Sequence, residues 1–314
     1  MKIYILGAGS LGLAFGGLLG LSGQDVTLLC RTQTQADVIN AQGLNLTIDT
    51  KIQNIGIKAA FTGRDLPKAD LILVFVKSQD TAIAIEQILK FVDAKTVVLS
   101  LQNGMGHEDT IAKFIPKNQI IGGKTYVGGQ RLSANSVLIG YKNKRTVVGE
   151  FDGTNSVRVQ QIAAIFNESN FQTEISTNIL GTMWDKLFIN VATGAVSGIS
   201  GLCYGELYKS DEWQNIAVGA VAEAMQIAQA QNIAYFVPDG RAAWLMAGEG
   251  LPYDFKASML QSLEAGYCTE IDFINGYVVK KGLEANVPTP INQILVAAMK
   301  GVEKWVLSKG LPKL

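Results

Sequence analysis

The stretch ILGAGSLG, residues 5–12, constrains the fold more than any other. Gly7, Gly9 and Gly12 form G-x-G-x-x-G directly after a short β-rich run, Lys2 to Leu6, and at the opening of a helix-length apolar segment, Leu11 to Leu21. In a strand, turn and helix of this kind the first glycine permits the tight turn, the second lets a pyrophosphate approach the backbone, and the third lets helix and strand pack closely. The amides at the helix N-terminus then face the phosphates. Gly7, Ala8, Gly9, Ser10, Leu11 and Gly12 are therefore the candidate cofactor contacts. The same letters could serve a purely structural turn; their place between β and α elements favours a dinucleotide.

An NAD site usually places Asp or Glu about 20 residues further on, at the end of the second strand, to bind the ribose hydroxyls. Here that strand ends Leu29, Cys30, Arg31, Thr32, with no acid. Arg31 suits a 2′-phosphate, so the expected cofactor is NADP, bound as NADPH; the alternative is a solvated loop cation.

With 314 residues, 48% hydrophobic and 17% charged, the chain can bury a large core, and its length favours two domains. Basic and acidic residues number 27 each without a dense basic run, which argues against nucleic acid or a membrane surface and for a small-molecule partner. Cys30, Cys203 and Cys268 are widely separated and odd in number, fitting neither a disulfide framework nor a paired zinc site; a reducing cytoplasm and no metal are expected. The apolar N-terminus lacks the basic run of a signal, and no window supplies the roughly 18 apolar residues of a spanning helix.

Short β-rich runs recur at Lys2 to Leu6, Asp25 to Cys30, Asp70 to Val76 and Thr96 to Leu101, separated by helix-length segments such as Ser78 to Phe91. This alternation predicts a parallel sheet with helices on both faces, and the near-continuous apolarity of LILVFV marks a strand buried on both sides. After Thr125 come strand candidates SVLIG and RTVVGE and a helix at about Val157 to Phe166. From Asn178 onward Leu180, Met183, Leu187 and Val191 recur at helical spacing. The expected organisation is a Rossmann-type α/β dinucleotide-binding domain over 1–176 and an all-α substrate and catalytic domain over 177–314.

The single histidine, His107, reads as a solvated loop residue. In MWDKLFINVATGAVSG, Lys186, Asn190 and Gly194 are four apart and share one helix face, with about 40° of drift per step. A lysine with an asparagine one turn later suits a proton donor with a substrate anchor, although Lys186 read alone is a solvated helix charge.

Taken together, GAGSLG, VKSQDT, LQNGMG, MWDKLFIN and SMLQ followed by TEIDFINGYVVKKG resemble the ketopantoate reductase (2-dehydropantoate 2-reductase) family, in matching order from residue 1 to about 300. The resemblance implies a Rossmann domain joined to a helical domain, with NADPH reducing a 2-oxo acid in the cleft between them to a D (R) 2-hydroxy acid. Its best-known product is pantoate, in pantothenate and coenzyme A biosynthesis. The general acid then falls on Lys186 and the following substrate asparagine on Asn190. Lys77 falls near the adenosine end of the cofactor, Asn103 between nicotinamide ribose and substrate, Ser258 on the substrate serine, and Glu270 on the cofactor-contacting glutamate, also counted with the catalytic set. Gly128 joins the cofactor set, and Arg31 takes the 2′-phosphate position.

Structural alternatives stand beside these roles. Thr269 and Asp272 are spaced like a capping box, so TEID could start a helix with the apolar face Ile271, Ile274 and Val278. Ser258 reads equally as a helix-surface hydroxyl and Asn103 as an Asn-Gly turn residue. The chain also departs from the family: Gly194 and Tyr204 replace two further substrate asparagines, and Ser262 stands where an aspartate is common. These departures leave 2-oxo acid reduction in place and turn the question to the substrate's side chain. The rival readings are a related 2-oxo acid reductase or β-hydroxy acid dehydrogenase with another substrate, and a non-catalytic NADPH-sensing protein. A homodimer is left open.

Overall fold

A computed structural model describes residues 1–140 and 144–309. They divide into two compact units, 1–102 with 107–179, and 103–106 with 180–309.

The first unit contains β1 (Lys2–Leu6), α1 (Ser10–Leu21), β2 (Asp25–Cys30), α2 (Gln33–Gln42), β3 (Leu44–Ile48), β4 (Lys51–Ile55), β5 (Lys58–Phe61), β6 (Leu71–Val74), α3 (Thr81–Ile88) and β7 (Val97–Ser100). It continues with α4 (His107–Ile111), β8 (Ile120–Thr125), β9 (Gly128–Ser133), β10 (Ser136–Gly140), β11 (Arg145–Gly149), α5 (Val157–Glu168) and β12 (Gln172–Ile175). An eight-stranded sheet runs in the order β12-β11-β8-β7-β6-β1-β2-β5. The strands from β8 to β5 pair in parallel, as the alternation predicts, but β11 pairs antiparallel with β8, so the sheet is mixed. Alternate residues feed different layers. Ile3 and Ile5 join Leu28, Leu73 and Leu99 on one face, against Phe15, Phe166 and Phe171; Tyr4 and Leu6 join Leu29, Ile72 and Val98 on the other, against Ile85, Ile88 and Phe91.

A second sheet, β4-β3-β10-β9, explains why α1 is apolar on every side. From Gly12 through Leu19 all its residues are buried. A Cβ on Gly16 would lie 2.4 Å from Leu28 Cδ2 of the large sheet, and one on Gly17 would lie 2.3 Å from Leu46 Cδ2 of the small one. The helix is packed between sheets, which accounts for LAFGGLLGL.

The second unit is helical among the described residues: α6 (Ile179–Ser200), α7 (Tyr204–Leu207), α8 (Asp211–Ala230), α9 (Gly240–Gly248), α10 (Ser258–Glu264), α11 (Asn275–Ala285) and α12 (Pro290–Ser308). Buried carboxylates satisfy backbone donors that would otherwise be orphaned. Asp185 on α6 accepts from the Phe236 and Val237 amides at 2.9 and 2.8 Å, and Glu223 on α8 accepts from the Ile291 and Asn292 amides in the first turn of α12 at 2.8 and 3.0 Å. No described helix is long and apolar enough to cross a membrane.

Candidate active site

In the first unit the candidate residues gather at the ends of β1, β2 and β6 and at the start of β9. Gly7 turns the chain with φ +104°, and a Cβ there would lie 2.7 Å from the Val76 amide nitrogen. A Cβ on Gly12 would lie 1.9 Å from the Gly7 carbonyl oxygen, so the helix approaches the turn more closely than any other residue permits. Gly9 differs, since a Cβ there would meet nothing within 4 Å. It caps α1 without a side-chain hydrogen bond to the first-turn amides. The space above Gly9 suits a group that approaches the backbone, as a pyrophosphate does.

Neighbouring loops brace this turn. The Ala8 carbonyl accepts from Gln35 Nε2 at 2.9 Å, and the same nitrogen donates to the Ala134 carbonyl at 3.0 Å. Ser10 Oγ accepts from the Arg131 amide at 3.3 Å, and Leu11 is half-buried beside it. A Cβ on Gly129 would lie 2.9 Å from the Ser10 carbonyl oxygen, so β9, opened by the exposed Gly128, runs close against the first turn of α1. Arg31 follows β2 with its side chain 89% exposed and its guanidinium 3.9 Å from Asp80. Lys77 is exposed at the end of β6, before the helical turn Ser78–Asp80 that carries this aspartate.

His107 is not the solvated residue the sequence suggests. It opens α4 fully buried, with Nε2 2.9 Å from Ser78 Oγ. Burial, with the charge of Lys124 adding, pushes its imidazole down to about 3. The buried Lys124 donates to the Gln102 carbonyl at 3.1 Å, while Gln102 Nε2 donates to the Val76 carbonyl and Thr81 Oγ1 at 2.8 and 2.9 Å. This polar network ties the ends of β6 and β7 together. In the sequence its only mark is a glutamine directly before the Asn-Gly turn.

In the second unit Asn103 meets the segment of Glu270, although 166 residues lie between them. Its turn is held by a Met105 amide that donates to the Phe273 carbonyl at 2.8 Å. Gly104 has φ +82°, and a Cβ there would lie 2.5 Å from the Phe273 oxygen. TEID does not begin a helix at Thr269. A single 3-10 turn spans Ile271–Phe273 and α11 starts only at Asn275; the Thr269 amide, which a capping box would offer to Asp272, donates instead to Glu303 Oε1.

Lys186 and Asn190 are half-buried, one turn apart on α6, in a helix otherwise mostly buried around them. Ser258 opens α10 and is exposed, and its neighbour Met259 packs on α6: a Cβ on Gly194 would lie 3.2 Å from Met259 Cε. Tyr204 is buried. Its hydroxyl donates to Thr193 Oγ1 at 2.9 Å, its ring meets Phe255 edge to face at 5.2 Å, and its amide donates to the Phe255 carbonyl at 2.8 Å. Thr193 is seven residues after Lys186, two helical turns along the same face. Around Gly194 and Tyr204 stand Thr193, Phe255 and Met259 rather than amides. None of Thr193, Phe255 and Met259 carries a mark in the sequence, since their packing depends on how α6, α7 and α10 meet.

Known proteins resemble nearly the whole chain. Residues 3–153 match the family described as ketopantoate reductase PanE/ApbA, and residues 178–303 match its C-terminal part. A 2-dehydropantoate 2-reductase of Pyrococcus horikoshii is 34% identical, covering 96% of this chain and 98% of the relative; that of Pyrococcus abyssi is 32% identical with the same coverage. Among solved structures, the ternary structure of D-mandelate dehydrogenase with NADH and anilino(oxo)acetate has a TM-score of 0.91 at 26% identity, covering 98% of this chain and 99% of that one. A PanE/ApbA family ketopantoate reductase from Ralstonia eutropha JMP134 has a TM-score of 0.87 at 29% identity, again covering 98% and 99%. The chain therefore belongs to the ketopantoate reductase family, a Rossmann-type α/β domain followed by a helical one.

Proposed function

We propose that this protein reduces a 2-oxo acid to a D (R) 2-hydroxy acid with NADPH, 2-dehydropantoate being the first named substrate. The observation that carries the reading is the pair Lys186 and Asn190, one turn apart and half-buried on α6, in a chain whose glycine turn leaves the backbone open at Gly9 alone. Residues 7–12, Lys77 and Gly128 would hold the dinucleotide, with Asn103 and Glu270 toward its reactive end and Arg31 at the 2′-phosphate. When bound, it supplies the hydride. Lys186 donates a proton to the keto oxygen as negative charge develops there, a step worth about 100 to 10,000 fold in general-acid catalysis. Asn190, Asn103 and Ser258 hold the substrate's polar groups by hydrogen bonds.

The names of the relatives support both 2-dehydropantoate and a bulkier acid. The Pyrococcus proteins are named for the first; D-mandelate dehydrogenase is named for an aromatic 2-hydroxy acid and was solved with NADH. Tyr204, Phe255 and Met259 favour an apolar or aromatic side chain. Losing two amide hydrogen bonds costs about 1 to 3 kcal/mol, up to about a hundredfold in specificity for 2-dehydropantoate.

The test is a screen of NADPH oxidation against a panel of 2-oxo acids. Weak turnover of 2-dehydropantoate and faster turnover of a bulkier acid are expected. Gly194→Asn should improve 2-dehydropantoate by restoring the amide of the family pattern, its Cβ meeting the flexible end of Met259 at 3.2 Å. Binding of NADPH without oxidation by any 2-oxo acid would favour the sensing protein instead, and efficient turnover of 2-dehydropantoate alone would remove the case for a changed side-chain preference.

A further inference from the structure

The turn that carries Glu270 is shaped from another helix. Thr269 and Glu303, on α12, are both buried. The Thr269 amide donates to Glu303 Oε1 at 2.7 Å, and the Thr269 hydroxyl donates to the same oxygen at 2.6 Å. That hydroxyl accepts in turn from the Ile271 amide at 3.2 Å. Both residues flanking Glu270 are thus pinned, one by Glu303 directly and the other through Thr269. The remaining Glu303 oxygen faces Lys300 Nζ at 3.4 Å, and Lys300 reaches Asp272 Oδ2 at 2.5 Å. One residue beyond Asp272 lies the Phe273 carbonyl, which accepts the Met105 amide from the Asn103 turn.

A buried carboxylate is costly compared with an apolar side chain of similar volume, unless its bonds hold something in a required geometry. Helix packing alone would be met by leucine at 303. What the carboxylate adds is a single acceptor for two donors of one residue, and that residue sets the path of the backbone through Glu270.

We propose that Glu303 is a positioning residue for the reaction: it holds the Thr269–Phe273 turn so that Glu270, and through the Phe273 carbonyl the Asn103 turn, present a fixed geometry to cofactor and substrate. This rests on the reading of Glu270 and Asn103 as site residues. Misplacing a reacting group by about 1 Å from a distance costs on the order of a hundredfold, and the loss falls on turnover rather than on the fold.

The experiment is a double-mutant cycle on the full chain. Glu303→Ala, Glu303→Gln and Thr269→Val are each made in the native and the Glu270→Gln background, and kcat and KM for NADPH and for the best 2-oxo acid of the panel are measured beside Tm. Glu303→Ala should lower kcat/KM by about 10 to 100 fold. Glu303→Gln keeps an oxygen for Thr269 and should recover most of that loss. In the Glu270→Gln background Glu303→Ala should cost clearly less than in the native one, the remainder being the part that reaches the Asn103 turn, since Glu303 and Glu270 are coupled. Thr269→Val, which removes only the hydroxyl, carries the same cycle if Glu303→Ala does not fold. An equal loss in both backgrounds that tracks the fall in Tm would overturn the proposal and leave Glu303 with a structural role. Native kinetics for Glu270→Gln alone would remove the site reading first, and the positioning role with it.

Discussion

Arg31 makes one ion pair, to Asp80 at 3.9 Å, with side chains 89% and 45% exposed. Such a pair contributes little to stability, so the fold does not depend on it. A charged hydrogen bond is worth roughly 1.5 to 3 kcal/mol and 1.4 kcal/mol is about tenfold, so Arg31→Ala should weaken NADPH binding by about 10 to 100 fold, nearer the lower figure at so open a position. NADH affinity and Tm should not move. Titration of both dinucleotides checks this, and equal affinity of the unmodified protein for the two would withdraw the NADPH assignment. Lys186→Ala should lower turnover by about 100 to 10,000 fold while NADPH affinity stays nearly intact. Wild-type turnover in that variant would move the acid elsewhere, with Glu270 next in line. The exposed place of Arg31 after β2 and the helical pairing of Lys186 with Asn190 were legible because their marks are local, whereas the role proposed for Lys186 came from the family resemblance and not from the spacing. His107 was not legible, because its burial comes from the packing of α4 on the turn at Ser78, 29 residues before it in the chain.

Helices and strands differ in how much of themselves they write into the chain. β1, β2, β10, β11 and α1 were readable from short apolar runs between turn residues. β3 and β4 were not, because β4 is exposed along most of its length, with the sequence KIQNI, and belongs to a small sheet whose apolar side rests on α1. The helix that TEID could have started begins only at Asn275, because a carboxylate 34 residues after Thr269 claims the amide a capping box would use. At the glycine turn, structure and ligand requirements separate cleanly. Gly12→Ala brings a Cβ within 1.9 Å of backbone and should destabilise the strand, turn and helix unit outright. Gly9→Ala meets nothing in the protein and should keep or slightly raise Tm, because alanine loses less chain entropy than glycine on folding. Its dinucleotide affinity should nonetheless fall at least tenfold. Thermal melts paired with NADPH titration distinguish the two variants. A Gly9→Ala protein that binds NADPH normally would show that the open space is not where the pyrophosphate lies.

Stability of the whole molecule should depend on pH through two adjacent buried groups with opposite effects. Unfolded His107 takes up a proton near 6.5, whereas the folded protein holds it neutral down to about 3. Between those values the unfolded chain binds the extra proton, so this contribution is complete above about pH 6.5 and shrinks as pH falls, by about 1.4 kcal/mol per unit. Burial raises the Glu108 carboxyl above 4.5, with Lys124 opposing, so its contribution is complete below about pH 4.5 and is lost as pH rises through the raised value. Above 4.5 the two slopes partly cancel; below it the histidine acts alone. The advantage of wild type over His107→Gln should therefore shrink by up to about 1.4 kcal/mol per unit as pH falls from 6.5 toward 4.5, while its advantage over Glu108→Gln grows. The probe matters, because Trp184, Trp213, Trp244 and Trp305, the four tryptophans, all lie in the helical unit. Fluorescence follows that unit alone, whereas far-ultraviolet circular dichroism follows both. Denaturant titrations at each pH should show the His107 effect by circular dichroism, and by fluorescence only if the two units unfold together. Parallel pH profiles of wild type and His107→Gln by circular dichroism would mean that the imidazole titrates normally in the folded protein, against the burial seen around it.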